Sequence, residues 1–192
     1  MEQEIQKPLS VIDIFEIAQK TCNIFPYSDL VKLDTVDDLF YPEVYDFKLD
    51  LPFDSNSCII LYLTKDSYGH WCILNRRLDK NNNYKYAFLD SYGELIDDQL
   101  EHIDIKYRKK SDQDERYLTD LLYNAVKNNN DEVNYNNIQL QVLDNKIATC
   151  GRYVALFLKY NKLSVEKFVS ILENSSNKYN IPMDMLVTII TI

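Results

Sequence analysis

From Val154 to Leu158 the chain reads Val-Ala-Leu-Phe-Leu, and the stretch before it, Ala148-Thr149-Cys150-Gly151-Arg152-Tyr153, adds few polar groups. A helix built from this segment is apolar almost all the way round, so it belongs in an interior rather than on a surface. Other elements must surround it, which constrains the fold more than anything else in the sequence. The same reading puts Cys150 at the helix N-terminus, where orphan N–H groups and the helix dipole favour a thiolate. Gly151 follows, so no side chain obstructs a close approach to the backbone beside the sulfur. Taken alone, the pattern also fits a core cysteine.

The elements that could surround this helix are legible from periodicity. Leu9 to Thr21 reads as a first helix, with Ser10 as N-cap, Asp13 at the third helical position and Leu9 able to staple onto Ile14. Cys22 to Pro52 reads as irregular, with a short helical turn at Val36 to Phe40. Cys58 to Leu63 is a near-continuous apolar run, the mark of a strand buried on both faces. Trp71 to Leu74 and Tyr84 to Leu89 read as further strands, joined through the turn-rich Asn81-Asn82-Asn83 as a hairpin. Leu95 to Ile103 predicts a short helix. A clearer helix capped by Ser111 carries Leu118, Leu121, Leu122 and Ala125 on one face and ends at Asn128-Asn129-Asn130. Ile138, Leu140 and Val142 alternate with Gln139 and Gln141, predicting a half-buried strand with both glutamines on one side. Ser164 caps a helix with Val165, Phe168, Val169 and Leu172, and Met183 to Ile192 is a last apolar helix or strand. The 192 residues hold no repeat or linker, so one α+β domain spanning 1–192 is expected.

The chain has only three glycines, and they fall at Gly69, Gly93 and Gly151. The first precedes His70, the second comes shortly after Asp90, and the third follows Cys150. A cysteine, a histidine and an acid in this setting match an activated sulfur nucleophile with its base and orienting group. His70 ends a polar turn, Asp66-Ser67-Tyr68-Gly69, and opens a strand; it is either a proton acceptor for the thiol or a satisfied edge histidine. Asp90 begins Asp90-Ser91-Tyr92-Gly93, a type I turn pattern, and its carboxylate can cap that turn and orient an imidazole at once. Gln141 can donate its amide to an oxyanion, with Gln139 as the rival donor and a solvated strand glutamine as the plain alternative. The second histidine, His102, lies in a charged segment without a glycine or aromatic neighbour. Cys72, two residues from His70 on the same strand face, raises a metal set of His70, Cys72 and Cys150. The spacing lacks a second ligand pair, so no metal is expected and Cys72 reads as a buried thiol.

Charge and cysteine usage narrow the classes further. A net charge of −9 argues against a protein that coats duplex nucleic acid. The basic clusters Lys106 to Lys110 and Arg76-Arg77 then read as solvated faces. Four widely spaced cysteines without a CxxC pair point to a reducing compartment. Met1 to Lys7 is polar, unlike a secretory signal, and no apolar stretch is long enough to span a membrane.

Gly69-His70-Trp71, Leu89-Asp90-Ser91-Tyr92-Gly93, Leu140-Gln141 and Thr149-Cys150-Gly151-Arg152 together resemble the adenovirus-type cysteine proteases, whose clan includes the SUMO-specific proteases. The order His, acid, Gln, Cys-Gly is the clan's order, and the short size and Thr-Cys-Gly-Arg form look most like the maturation proteases of virophages and Polinton-like viruses. The resemblance covers Gly69 to Arg152, under half of the chain. It implies a small mixed central sheet packed by helices, with the buried helix starting at the catalytic cysteine. It also implies that Cys150 attacks the scissile carbonyl, His70 is the base, Asp90 orients it, and Gln141 with the backbone at Cys150 and Gly151 forms the oxyanion hole. Trp71 and Gly69 would line a narrow cleft that accepts small residues such as glycine before the cut. The adenovirus members carry Glu where Asp90 stands, and Gln141 lies further upstream of its cysteine than theirs. They use DNA as a cofactor; the acidity of this chain argues against that, and no cofactor is expected. The implied substrate is a viral capsid or other structural precursor, with an activating peptide as a further partner. Action would be in host cytoplasm at viral assembly sites, with packaging in the virion. Two other readings stay open: a protease for ubiquitin-like modifiers, and a catalytically silent binding module.

Overall fold

A computed structural model describes residues 2–41, 49–66 and 68–192. Part of the stretch read as irregular (42–48), and Ser67 of the turn before His70, lie outside the described residues. The chain forms a single-domain α+β structure around a five-stranded mixed sheet whose strands lie side by side in chain order, β1-β2-β3-β4-β5. These are β1 Thr21–Pro26, β2 Phe53–Lys65, β3 Tyr68–Leu78, β4 Tyr84–Leu89 and β5 Glu132–Tyr135. β1 runs parallel to β2 and β5 parallel to β4, whereas β2, β3 and β4 pair antiparallel. The helices are α1 Glu2–Ile5, α2 Val11–Ala18, α3 Ile105–Lys110, α4 Tyr117–Asn129, α5 Cys150–Lys159, α6 Val165–Tyr179 and α7 Met183–Ile189, with 3-10 turns at Tyr27–Lys32, Val36–Phe40 and Asp98–His102.

Strand alternation divides the interior into two layers. Ile24, Ile59, Ile73 and Leu89 face α2, α5, α6 and α7. Phe25, Cys58, Ile60, Cys72, Leu74 and Phe88 face the 3-10 turns and α4. The interior helix expected from the sequence is α5: every residue from Gly151 to Leu158 is buried. Burying Val, Leu and Phe side chains of this kind contributes roughly 1.5–3 kcal/mol each. Gly151 permits the closest packing, because a Cβ there would lie 3.1 Å from the Leu9 Cβ and 3.4 Å from Trp71. Arg152, though charged, is buried too; its guanidinium donates to Thr191 Oγ1 at 2.7 Å and to the Glu4 carbonyl at 3.0 Å, tying both ends of the chain to α5.

The first helix starts as its caps dictate: Asp13 N–H donates to Ser10 Oγ at 3.3 Å and Ser10 N–H to Asp13 Oδ2 at 2.8 Å, completing a capping box. Three readings need correction. Thr21–Pro26 is a strand: its apolar run is broken by Asn23, whose buried amide donates to the Leu39 carbonyl at 2.9 Å. Ser111 closes α3 instead of opening the next helix, its hydroxyl donating to the Tyr107 carbonyl at 2.8 Å, and α4 begins only at Tyr117. Ile138 to Val142 is not a strand; Leu140 and Gln141 both donate N–H to the Ser91 carbonyl, at 2.9 and 2.8 Å, and the last strand is Glu132–Tyr135. That chain crossing explains Gly93, whose φ of +74° and 2.5 Å clearance from the Ile138 backbone exclude a side chain. The C-terminal segment is helical at Met183–Ile189.

Replacing Ser10 with Ala removes the N-cap acceptor of α2 and is expected to cost about 1 kcal/mol. Urea unfolding should show this as a lowered midpoint with an unchanged slope.

Candidate active site

The packing of α5 against β3 decides what meets Cys150. His70 is near the start of β3, opposite Tyr62 of β2, and only 4% exposed. It lies inside the sheet edge, not at an open rim. Its Nε2 sits 3.0 Å from Asp90 Oδ1, and its ring stacks on Tyr92 with centroids 4.6 Å apart. Cys150 and His70 line one cavity, and His70 together with the backbone N–H groups of Trp71 and Gly151 acts to lower the Cys150 thiol. The three side chains proposed from the sequence thus come together although they are far apart along the chain.

Their electrostatics are coupled. Burial opposes a charge on the Cys150 sulfur, but the hydrogen bond and charge of His70 outweigh it, and the thiol is held below its ordinary value. Burial likewise opposes the imidazolium, yet Asp90, Cys72 and the bond to Cys150 raise the histidine well above its usual range. Asp90 is fully buried; burial pushes its carboxyl up, and His70, the Tyr92 N–H and the Gln99 amide together pull it below the usual carboxylate value. A thiolate–imidazolium pair supported by a carboxylate is the state these shifts favour.

Asp90 does both things its sequence context allowed. The Gly93 N–H donates to its carbonyl at 3.0 Å, closing the turn, while its side chain holds His70. Asn136 fixes its backbone from both sides, accepting the Asp90 N–H at 2.9 Å and donating to its carbonyl at 2.7 Å. Gln99 donates to Oδ2 at 3.0 Å and to Glu94 at 2.8 Å, and Glu94 pairs at 2.6 Å with His102, which lines the mouth of the same cavity. Sequence reasoning missed Gln99 and Asn136, because a neutral amide carries no motif. Having no partner in view, it set His102 aside.

The structure separates the two glutamines. Gln141 is 1% exposed and lines the Cys150 cavity, its Oε1 held by the Ser91 hydroxyl at 2.9 Å. Its Nε2 makes only long bonds, 3.3 Å to Tyr92 OH and 3.2 Å to the Ile147 carbonyl. Gln139 is exposed and donates instead to the Gln141 carbonyl at 3.0 Å. Two cavities, of about 260 and 370 Å³, meet at Tyr68, Gly69, Ala148 and Cys150. The first holds His70 and Gln141; the second is walled by Leu9, Leu61 and Trp71. Gly69 belongs to both, and a Cβ on it would meet the Tyr62 carbonyl oxygen at 2.3 Å. Cys72 lies behind His70, where His70, Cys72 and Asp90 bring ligand atoms within 4.8 Å of one another. Burial pushes the Cys72 thiol up, and Asp90 already bonds His70 Nε2. Cys150 is not in that cluster.

Fold and site define a single α+β domain carrying a Cys-His-Asp constellation in a cleft. The chain is 33% identical over 184 residues to the uncharacterized protein V9 of Sputnik virophage, covering 96% of this chain and 94% of that protein, and it belongs to the same virophage protein family. No family model matches the sequence. Among solved structures, the central domain of the uncharacterized Lpg1148 protein from Legionella pneumophila aligns over 96% of this chain and 97% of that one, at 15% identity and a TM-score of 0.40, a likeness too loose to carry an argument.

Because the thiol is depressed and the imidazole raised, iodoacetamide should alkylate Cys150 below the pH at which ordinary thiols react. The rate should fall only when pH drops through the depressed thiol value. In His70→Ala the half-point should move up toward the ordinary thiol range, as peptide mass spectrometry at stepped pH will read.

Proposed function

We propose that this protein is a cysteine endopeptidase that processes viral capsid or other structural precursors during particle maturation. The observation that carries the reading is the convergence of Cys150, His70 and Asp90, with Gln141 lining the same cavity. The kinship with a Sputnik virophage protein supports a viral setting.

In this reading the Cys150 thiolate attacks the scissile carbonyl carbon, and the carbonyl oxygen takes the negative charge. Gln141 Nε2 and backbone N–H at the start of α5 receive that charge, replacing the long bonds to Tyr92 and Ile147. The imidazolium of His70 gives its proton to the departing amine, leaving a thioester on Cys150. Neutral His70 then takes a proton from water, which attacks the thioester and restores the thiolate–imidazolium pair. Asp90 keeps the ring oriented throughout and stabilises its charged form. Gly69 and Trp71 would take the residues beside the cut, where the resemblance implies small side chains such as glycine. The acidic charge speaks against a nucleic-acid activator, and no helix among the described residues is long and apolar enough to cross a membrane. The work would be done at assembly sites in host cytoplasm, with the protease packaged in the virion.

The test is co-expression with the virus's capsid precursor, with mass spectrometry of the new termini. The native chain should cut and Cys150→Ala should not; equal cleavage by both would sink the assignment. Gln141→Ala should keep Cys150 alkylation but slow turnover by roughly a hundredfold. Labelling of Cys150 by ubiquitin or SUMO probes, without precursor cleavage, would instead point to a protease for ubiquitin-like modifiers.

A further inference from the structure

The segment between Gln141 and Cys150 is fastened at both ends by one buried acid. Asp184 lies on α7 and is 3% exposed. Its Oδ2 accepts the Val142 N–H at 2.9 Å, and its Oδ1 accepts the Thr149 hydroxyl. The Tyr153 hydroxyl lies 3.3 Å from the same Oδ1 and donates to the Leu140 carbonyl at 2.8 Å. Residues 142–146 between these anchors are exposed, and Leu143 alone is 64% exposed. Of the loop's apolar side chains only Ala148 is buried, its N–H donating to the Ile5 carbonyl at 2.9 Å, and both Asp184 anchors sit immediately beside residues of the candidate site.

We propose that Asp184 is a positioning residue for the oxyanion side of the cleft: it closes the 142–149 loop so that the Gln141 amide and the start of α5 face one point. This rests on the reading of Cys150 as an acyl-transfer nucleophile. The coupling runs through the loop, because Gln141 Nε2 bonds the Ile147 carbonyl, so a loop that drifts carries the amide with it. A carboxylate suits the place because its two oxygens accept separately from Val142 and Thr149, while an amide would turn an N–H toward one of those donors. None of the hydrogen bonds of Asp184 goes to His70 or Cys150, so the influence of His70 on the thiol does not run through it.

Two small reagents that react at the same sulfur test this without knowledge of the natural substrate. With p-nitrophenyl acetate the Cys150 sulfur bonds to the carbonyl carbon, an oxyanion forms and collapses, and p-nitrophenolate leaves, giving the S-acetyl group. With iodoacetamide the sulfur displaces iodide from a saturated carbon, and no oxyanion arises. In Asp184→Asn and in Thr149→Val, acylation of Cys150 should slow about tenfold or more, while alkylation and its pH profile stay within about twofold of the native chain. Acylation that is kept, or both rates falling together as in a general collapse of the site, would overturn the proposal. Should Asp184→Asn not fold, Thr149→Val decides alone, since it removes one hydroxyl and leaves the buried acid in place. If the native chain forms no S-acetyl at Cys150, the acyl-transfer reading itself is wrong, and the positioning role falls with it; a normal native rate with unchanged variants removes only the role of Asp184.

Discussion

A helix without an exposed face has to be enclosed, and the enclosure of α5 is the constraint on which the candidate site depends. β3 and β2 lie on one side of it and α2, α6 and α7 contribute to the same apolar cluster. Gly151 lets Leu9 come against the first turn, where a Cβ would lie 3.1 Å from the Leu9 Cβ and press it back by a few tenths of an ångström. The Cys150 sulfur is delivered to the edge of β3 as a result. A looser helix of identical sequence would bring the cysteine near the histidine without fixing either.

Burying three ionisable groups together is costly unless each is paired and hydrogen-bonded. Here the cost is spread over many donors. Asp90 accepts from His70, the Tyr92 N–H and Gln99, and its backbone is clasped by Asn136. The thiol of Cys150 is lowered by His70 and by the backbone N–H groups of Trp71 and Gly151. The polar groups that support this pair come from the loops after β4 and β5, so the site is a property of the sheet's connections as much as of its strands. The loop that joins Gln141 to Cys150, exposed from 142 to 146, is held from outside, by α7.

Much of this was legible in the residues. The all-round apolar character of Val154 to Leu158 announced an interior helix, Ser10 and Asp13 announced the start of α2, and continuous apolar runs announced β2 and β4. His70, Asp90 and Cys150 stood out because the scarce glycines fall close to them. Other features were not legible, each for a physical reason. β1 is a parallel strand whose partner lies beyond a long connection, and its buried Asn23 looks like a loop residue until Leu39 accepts its N–H. The alternation from Ile138 to Val142 imitates a strand, but only Leu140 of its three apolar residues is buried, and the N–H groups go to one carbonyl rather than to a ladder. Ser111 can cap either the helix before it or the one after, and local sequence does not choose.

Local chemistry alone determined that this chain has an interior helix headed by a cysteine, several buried strands, and one histidine and one aspartate in turns able to serve it. Periodicity and capping carry that information because they act over a few residues. Only the tertiary structure decided that Nε2 of His70 bonds Asp90, that Gln141 and not Gln139 faces the cavity, and that Gln99, Asn136 and Asp184 stand behind the site. Those choices depend on which segments pack side by side, and a side-chain amide or carboxylate has no partner until distant parts of the chain are brought together.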